Sequence, residues 1–380
     1  MVHQVKQRRR RWRGGACGDQ DLRRLDLPGK LDRRRYVPNF KIFLVVLQKK
    51  LMSVSMGCKN SQNVVQKICE LYDEISRLED LKPSKDVNML FTELVHTCIP
   101  PNPIDVSKLC SKIRDMRSNL IRLCGEAEGL LESHFSTILG SLPDPLQSLS
   151  LFPYFDNYLK LSLLEFDLLS RHCGVAPPRR LAFVGSGPLP LSSIVLATCH
   201  LTATDFHNYD IDPAANSMAA RLVGSDPGLA RRMFFHTADI MGVTCDLKEY
   251  DVVFLAALVG MDKEEKGRAV DHLAKYMAPG SVLVVRSAHG ARAFLYPVVE
   301  PRDLRGFEVL TVYHPTDDVV NSVIVARKMA LPVFNSYDQG AAGSAVVLPT
   351  KCSCAEIHAF NPLNKLSMIE EFSLDQEQLS

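Results

Sequence analysis

Apolar residues recur at Val64, Ile68, Leu71, Tyr72, Ile75 and Leu78 within 63–81, a spacing that lays one stripe along an α-helix and leaves it in need of a partner. A second helix is predicted after Ser84, a suitable N-cap, and lasts about three turns before the proline cluster that begins at Pro100. A long helical pattern follows over 106–139, interrupted only by Gly125 and Gly129, and a shorter one over 155–173. After "APPRR" the period changes. Short apolar runs at 181–184, 206–210, 233–236, 251–256, 282–285, 308–313 and 321–326 predict seven strands. Most intervals among the first five hold a crossover helix, whereas the last two strands are close enough only for an antiparallel hairpin.

Parallel strands with helices, ended by an antiparallel pair, resemble the class I S-adenosylmethionine-dependent transferases. The expected fold is α/β: a Rossmann-like class I methyltransferase fold with a seven-stranded sheet, its last strand antiparallel, and an N-terminal all-helical domain. The expected divisions are a basic leader over 1–59, a helical domain over 60–176 covering the active site, a binding domain over 177–330 and a polar tail over 331–380.

Composition narrows the class. With 380 residues and 46% hydrophobic content the chain can bury a sizeable core. Its apolar run over 42–47 is far short of the roughly 20 residues a membrane span needs. Eleven cysteines form no CxxC pair, so neither a zinc ribbon nor a disulfide framework is indicated, and reduced thiols in a cytoplasmic setting are expected. Residues 1–50 carry 15 Lys and Arg against 4 Asp, a net +11, which leaves −9 for the rest. The acidic bulk is a poor nucleic-acid binder. The Arg-rich head reads as a disordered leader, with a nucleic-acid arm, a nuclear signal or a transit segment as alternatives. A start at Met56 would create "MGCKNS", a myristoylation pattern with Cys58 beside it, and hence peripheral membrane or vesicle association.

The chemistry begins at "FVGSGPLPLSS". In a doubly wound sheet, ligands meet the carboxyl ends of the strands, and Gly185, Ser186 and Gly187 form a turn that lets backbone approach closely. Pro188 and Pro190 stand where a dinucleotide site keeps its third glycine, and one of them suits a first helical turn. This favours a ligand that presents an amino acid or ribose there over a pyrophosphate. Asp210 follows Gly187 by 23 residues at the end of the second strand, placed to accept hydrogen bonds from ribose hydroxyls. Asp212 is its alternate, Asp239 stands where such folds hold the adenine amine, and Phe254, Leu255 and Ala256 are expected to line the adenine and sulfonium region. Each aspartate alone reads first as a helix cap, and only together with the glycine turn at these intervals do they read as a cofactor site.

Five stretches, "LKPSKDVNMLFTELVHTCIPPNPIDV", "LIRLCGEAEGLLESHFS", "LFPYFDNYLKLSLLEFDLL", "VGSGPLPLSSIVLA" and "FHNYDIDPAAN", together resemble plant nicotianamine synthases over about 61–328. The resemblance implies condensation of three S-adenosylmethionine molecules by aminocarboxypropyl transfer, with one azetidine ring formed and three methylthioadenosines released. It implies no cofactor beyond S-adenosylmethionine as substrate, no metal in the enzyme, and a product that chelates iron and other metals and supports their homeostasis.

Such a transfer needs a carboxylate to take a proton from the attacking amine. On the long helix Leu120, Leu123, Ala127, Leu130, Leu131, His134 and Ile138 form an apolar stripe, while Gly125, Glu128, Gly129, Glu132 and Ser136 share another face. Two glycines cost helix stability, so that face is expected to line a cavity. Glu132 is the expected proton acceptor, Glu128 its neighbour or a holder of the substrate ammonium, and Tyr158 the hydroxyl that orients the reacting group. Tyr154 belongs to the core or to the cofactor, and "LLEF" is a buried helix face or a sorting signal. A small-molecule methyltransferase is the alternative enzyme, and a catalytically silent binding module the alternative from another class. The oligomeric state is not legible.

Overall fold

The computed structural model of the chain describes residues 59–330 apart from Pro103, Gly174 and Val175. The expected leader up to residue 58, the tail, and Met56, Gly57 and Cys58 of the acylation pattern therefore lie outside the described residues. Four helices come first: α1 (Lys59–Ile75), α2 (Lys85–Cys98), α3 (Ser111–Gly140) and α4 (Phe155–His172). Ser84 caps α2 as its sequence requires, accepting from the Val87 amide at 3.3 Å. α1 ends earlier than its stripe predicts. Its last turn tightens at Arg77 and Leu78, whose amides donate to the Glu74 and Ile75 carbonyls, and Leu78 and Leu81 reach the same core as loop residues. The pattern over 106–139 divides because Asp105 caps a short turn at Val106–Lys108 before α3 starts.

The sheet follows, with β1 (Arg180–Val184), α5 (Leu191–Val195), β2 (Asp205–Asp210), α6 (Pro213–Val223), α7 (Pro227–Ala230), β3 (Met233–Thr237), β4 (Val252–Leu255), α8 (Lys263–Tyr276), β5 (Val282–Ser287), β6 (Phe307–Tyr313) and β7 (Ser322–Lys328). The strand order is β3-β2-β1-β4-β5-β7-β6. β1 to β5 run parallel, and β7 slots between β5 and β6, antiparallel to both. This is the expected seven-stranded plan. What the hairpin pattern could not give is that its second strand, rather than its first, takes the place beside β5.

The central strands β1, β4, β5 and β7 bury both faces, while β3 and β6 at the edges are partly open. Val284, Val323, Val325, Phe183 and Phe254 meet α3, α4, α5 and α6 in one core. Leu255, Leu283, Val285, Ile324 and Ala326 meet α8 and the loops in a second. A third core joins α1, α2 and the first half of α3 to Ala291, Phe294 and Leu295, just after β5. The helical segment is thus anchored on the same end of the sheet where the parallel strands finish.

One ionic contact fastens helix to sheet. Arg286 of β5 donates Nε and Nη2 to the two carboxylate oxygens of Glu165 on α4 at 2.7 and 2.9 Å, and Nη2 also donates to Ser192 Oγ at 2.6 Å. Glu165 is fully buried and Arg286 nearly so. A forked pair of this kind fixes orientation as well as charge. Removing one member strands the other, so Glu165→Leu is expected to cost about 3–5 kcal/mol in urea unfolding. The double variant Glu165→Leu/Arg286→Met is expected to recover much of that loss.

Candidate active site

The turn after β1 is built by its two glycines. Gly185 and Gly187 adopt φ of 79° and 68°, a region that costs an L side chain strain. The Gly185 and Ser186 amides donate to the Tyr209 carbonyl, and the Gly187 amide donates to Asp210 Oδ2 at 2.8 Å. The Asp212 amide donates to Asp210 Oδ1 at 3.0 Å. Asp210 therefore ties the β1 turn to the β2 turn, and each of its oxygens keeps acceptor capacity for a ligand. Asp212 and Asp239 do what their local sequence suggests: Asp212 caps α6 through the Ala214 amide, and Asp239 caps the turn Ile240–Gly242 through the Met241 amide. All three aspartates nonetheless line one cavity. Pro190 precedes α5 as its cap residue and Pro188 stands further out, so neither lies inside the first helical turn as expected.

The cavity holds about 860 Å³ between the strand ends and α3, at the upper end of the usual range for ligand sites. Gly185, Ser186, Gly187 and Pro188 form part of its wall. At the end of β4 the wall is made by Ala256 and the following Ala257, Leu258 and Val259. Phe254 and Leu255 are corrected here: they point into the two cores, Phe254 stacked on Phe183 with ring centres 5.4 Å apart. At β4 the cavity wall begins only past the strand's end, at Ala256. Lys266 of α8, buried, donates Nζ to the Ala256 and Ala257 carbonyls at 2.7 and 2.9 Å. Burial brings its ammonium down to about 7.

α3 supplies the roof. Glu128, Gly129 and Glu132 face the cavity, and Glu132 is only 9% exposed. Gly129 leaves open space where a side chain would stand, and Gly125 packs against Leu258 and Met261. The expected apolar stripe needs one correction, since His134 and Ile138 are exposed. Along a helix of 30 residues the neighbours change, so the buried side moves from Leu120 and Ala127 to Glu132, Ser136 and Leu139.

Tyr158 of α4 donates its hydroxyl to Glu132 Oε1 at 3.0 Å and lies 3.4 Å from Glu128 Oε1. Its single proton therefore serves Glu132 in the better geometry. Tyr296 donates to Glu128 Oε2 at 2.9 Å. The other Glu132 oxygen lies over the glycine turn, where a Cβ on Gly187 would stand 2.6 Å from Oε2. Burial pushes the Glu132 carboxyl well above its ordinary value, and the Glu128 charge adds to the rise against the Tyr158 hydrogen bond. Burial also raises Glu128, against the hydrogen bonds from Tyr296 and Tyr158. With the Tyr158 hydroxyl between them, the half-buried Glu128 disfavours a second negative charge on Glu132. Tyr154 packs on Phe152 in the core. Within "LLEF", Glu165 turns inward to Arg286 while Leu163 is exposed.

Arg286, Tyr296 and Asn321 line the cavity and Glu165 holds Arg286, and sequence reasoning missed all four. Arg286 had a faint signal, as the one charge in "VLVVRS", and so had Glu165 among leucines. Tyr296 and Asn321 had none. Among the described residues no group of three or more His, Cys, Asp or Glu could hold a metal ion.

Residues 58–333 match the family model described as nicotianamine synthase protein. The nicotianamine synthase of Solanum lycopersicum is 67% identical over 321 residues, which cover 84% of this chain and all of the relative. Nicotianamine synthase 3 of Arabidopsis thaliana is 60% identical over 327 residues, covering 86% of this chain and all of that protein. The crystal structure of MtNAS in complex with MTA and tNA shares the fold, with a TM-score of 0.59 at 22% identity over 71% of this chain and 98% of its own. With matches of this length and identity, the chain belongs to the nicotianamine synthase family.

Proposed function

We propose that the cavity beneath α3 carries out the family's reaction, the condensation of three S-adenosylmethionine molecules to nicotianamine with release of three methylthioadenosines, and that Glu132 is its proton acceptor. The donor's ribose meets Asp210 and its adenine lies toward Asp239, which leaves the aminocarboxypropyl arm pointing past Gly187 to Glu132. An acceptor ammonium held at Glu132 favours the ionised carboxylate by its charge and loses a proton to it. Its lone pair then attacks the donor's γ-carbon, a carbon–nitrogen bond forms, the carbon–sulfur bond breaks, and methylthioadenosine leaves with the sulfur electron pair. A positioned carboxylate supplies this kind of acid–base help. Tyr158 orients Glu132, and Glu128 with Tyr296 holds the ammonium end. Which of the sulfonium's three activated carbons reacts is set by which one the amine meets in line.

The observation that carries this reading is Glu132 itself, one oxygen fixed by Tyr158 and the other against Gly187. Its raised carboxyl suits a group that must give the proton back after each transfer. The helical segment 60–176 acts as the cover and 177–330 as the binding half. A cytoplasmic place of action is in keeping with the absence of disulfides among the described residues, and among them no helix is long and apolar enough to cross a membrane.

Purified protein given S-adenosylmethionine alone is expected to release methylthioadenosine, detected by chromatography. Release of S-adenosylhomocysteine upon addition of a second substrate would instead establish a methyltransferase. Glu132→Gln is expected to lower kcat by about 10²–10⁴-fold while methylthioadenosine binding, followed by calorimetry, is retained.

The raised Glu132 carboxyl also fixes a sign for stability. The native state holds a proton that the unfolded chain releases near 4.5, so stability contributed by the protonated form is full below that pH and is lost as pH rises above it. The melting temperature of ligand-free Glu132→Gln is therefore expected to rise relative to wild type with increasing pH above 4.5. A difference that shrinks over this range would contradict the buried, proton-holding carboxyl.

A further inference from the structure

The roof and the glycine turn account for the amine and the donor, and they leave one end of the cavity without a described task. That end lies under β5 and β7. Asn321 stands immediately before β7, is 7% exposed, lines the cavity, and its Nδ2 has no hydrogen-bond partner. A buried amide donor without a partner is uncommon in a folded protein and marks a place where a ligand acceptor fits.

Its neighbour is set by sheet register. Arg286 pairs with Val323 across the β5–β7 ladder, so the two side chains share a face, and Asn321, two residues before Val323, shares it too. Arg286 also lines the cavity. Its Nε and Nη2 are committed to Glu165 and Ser192, and its Nη1 takes no partner among the described residues. Burial raises the carboxyls of both Glu128 and Glu132, and the Arg286 charge is near enough to temper that rise. Two donors on one sheet face, beside the acids that would hold an amine, match the two polar ends of an α-amino acid.

The position separates this pair from the donor's seat. From β1 to β7 the order crosses β4 and β5, three steps or about 14 Å at the usual strand spacing. A donor with its ribose at Asp210 and its propyl arm at Gly187 occupies the β1–β2 end. The β5–β7 end is left for a second molecule.

We propose that Asn321 Nδ2 and Arg286 Nη1 seat the α-carboxylate of the acceptor, so that the site takes as nucleophile an amine bearing a neighbouring carboxylate and rejects a simple amine. This rests on the reading that the acceptor amine is held at Glu132. Asn321 is then a specificity-determining residue, and Arg286 is both a fastening of the fold and a ligand contact.

The test uses Asn321→Leu and the isosteric Asn321→Asp in the full chain, titrated calorimetrically at neutral pH with nicotianamine, which carries such carboxylates, and separately with methylthioadenosine, which carries none. Nicotianamine affinity is expected to fall about tenfold in the Leu variant, as when one charge-assisted hydrogen bond is lost, and further in the Asp variant, where two carboxylates oppose each other. Methylthioadenosine affinity is expected to stay at the wild-type value in both. Unchanged nicotianamine affinity in the Asp variant overturns the proposal, as does a parallel fall for both probes. The underlying reading fails differently, as wild-type protein that releases no methylthioadenosine from S-adenosylmethionine alone.

Discussion

A carboxylate lying against the backbone of a glycine turn is the contact around which the site is arranged. Glu132 reaches down from α3 until one oxygen occupies the space a side chain at Gly187 would need, while Tyr158 holds the other oxygen from α4. The approach requires a residue without Cβ on the sheet and a long acid on the helix. It also removes the acid from water, which penalises its charge and strengthens its hold on a proton. Glycine turn, helical roof and raised acidity are thus one arrangement seen from three sides.

The roof can stay there because a second charged pair holds it. Glu165 and Arg286 are costly to bury, and their forked geometry with Ser192 offsets the cost only when α4 and β5 meet in one register. The same arginine tempers the negative charge of the acids above it. Lys266, bound to the carbonyls just past β4, fixes the opposite wall in a similar way. Fold stability and site electrostatics therefore draw on the same few buried charges.

Some of this was legible in the chain and some was not. The helices and strands follow from short-range spacing, and Ser84 and Asp105 mark helix starts by local hydrogen bonds. Asp210 was readable because its interval from Gly187 is fixed by two neighbouring parallel strands. Phe254 and Leu255 misled because a strand buried on both faces looks uniformly apolar, and only the residue beyond its end, Ala256, turns to the cavity. His134 and Ile138 misled because a stripe drawn along 30 residues assumes one partner, whereas α3 passes from one core to another.

The sequence by itself determined the seven-stranded plan, the glycine turn, Asp210, and an acidic face on the long helix with Glu128 and Glu132 side by side. These depend on contacts within a turn, a helix face or an adjacent strand pair, where chain spacing and space are nearly the same thing. Tertiary structure alone decided that the acidic face turns inward, that Glu165 meets Arg286 across 121 residues, that Tyr296 reaches Glu128, and that β7 inserts beside β5 to bring Asn321 to the cavity. Those meetings are set by how helices dock on a sheet, and burial of whole surfaces, which no local spacing records, selects among the ways they could dock.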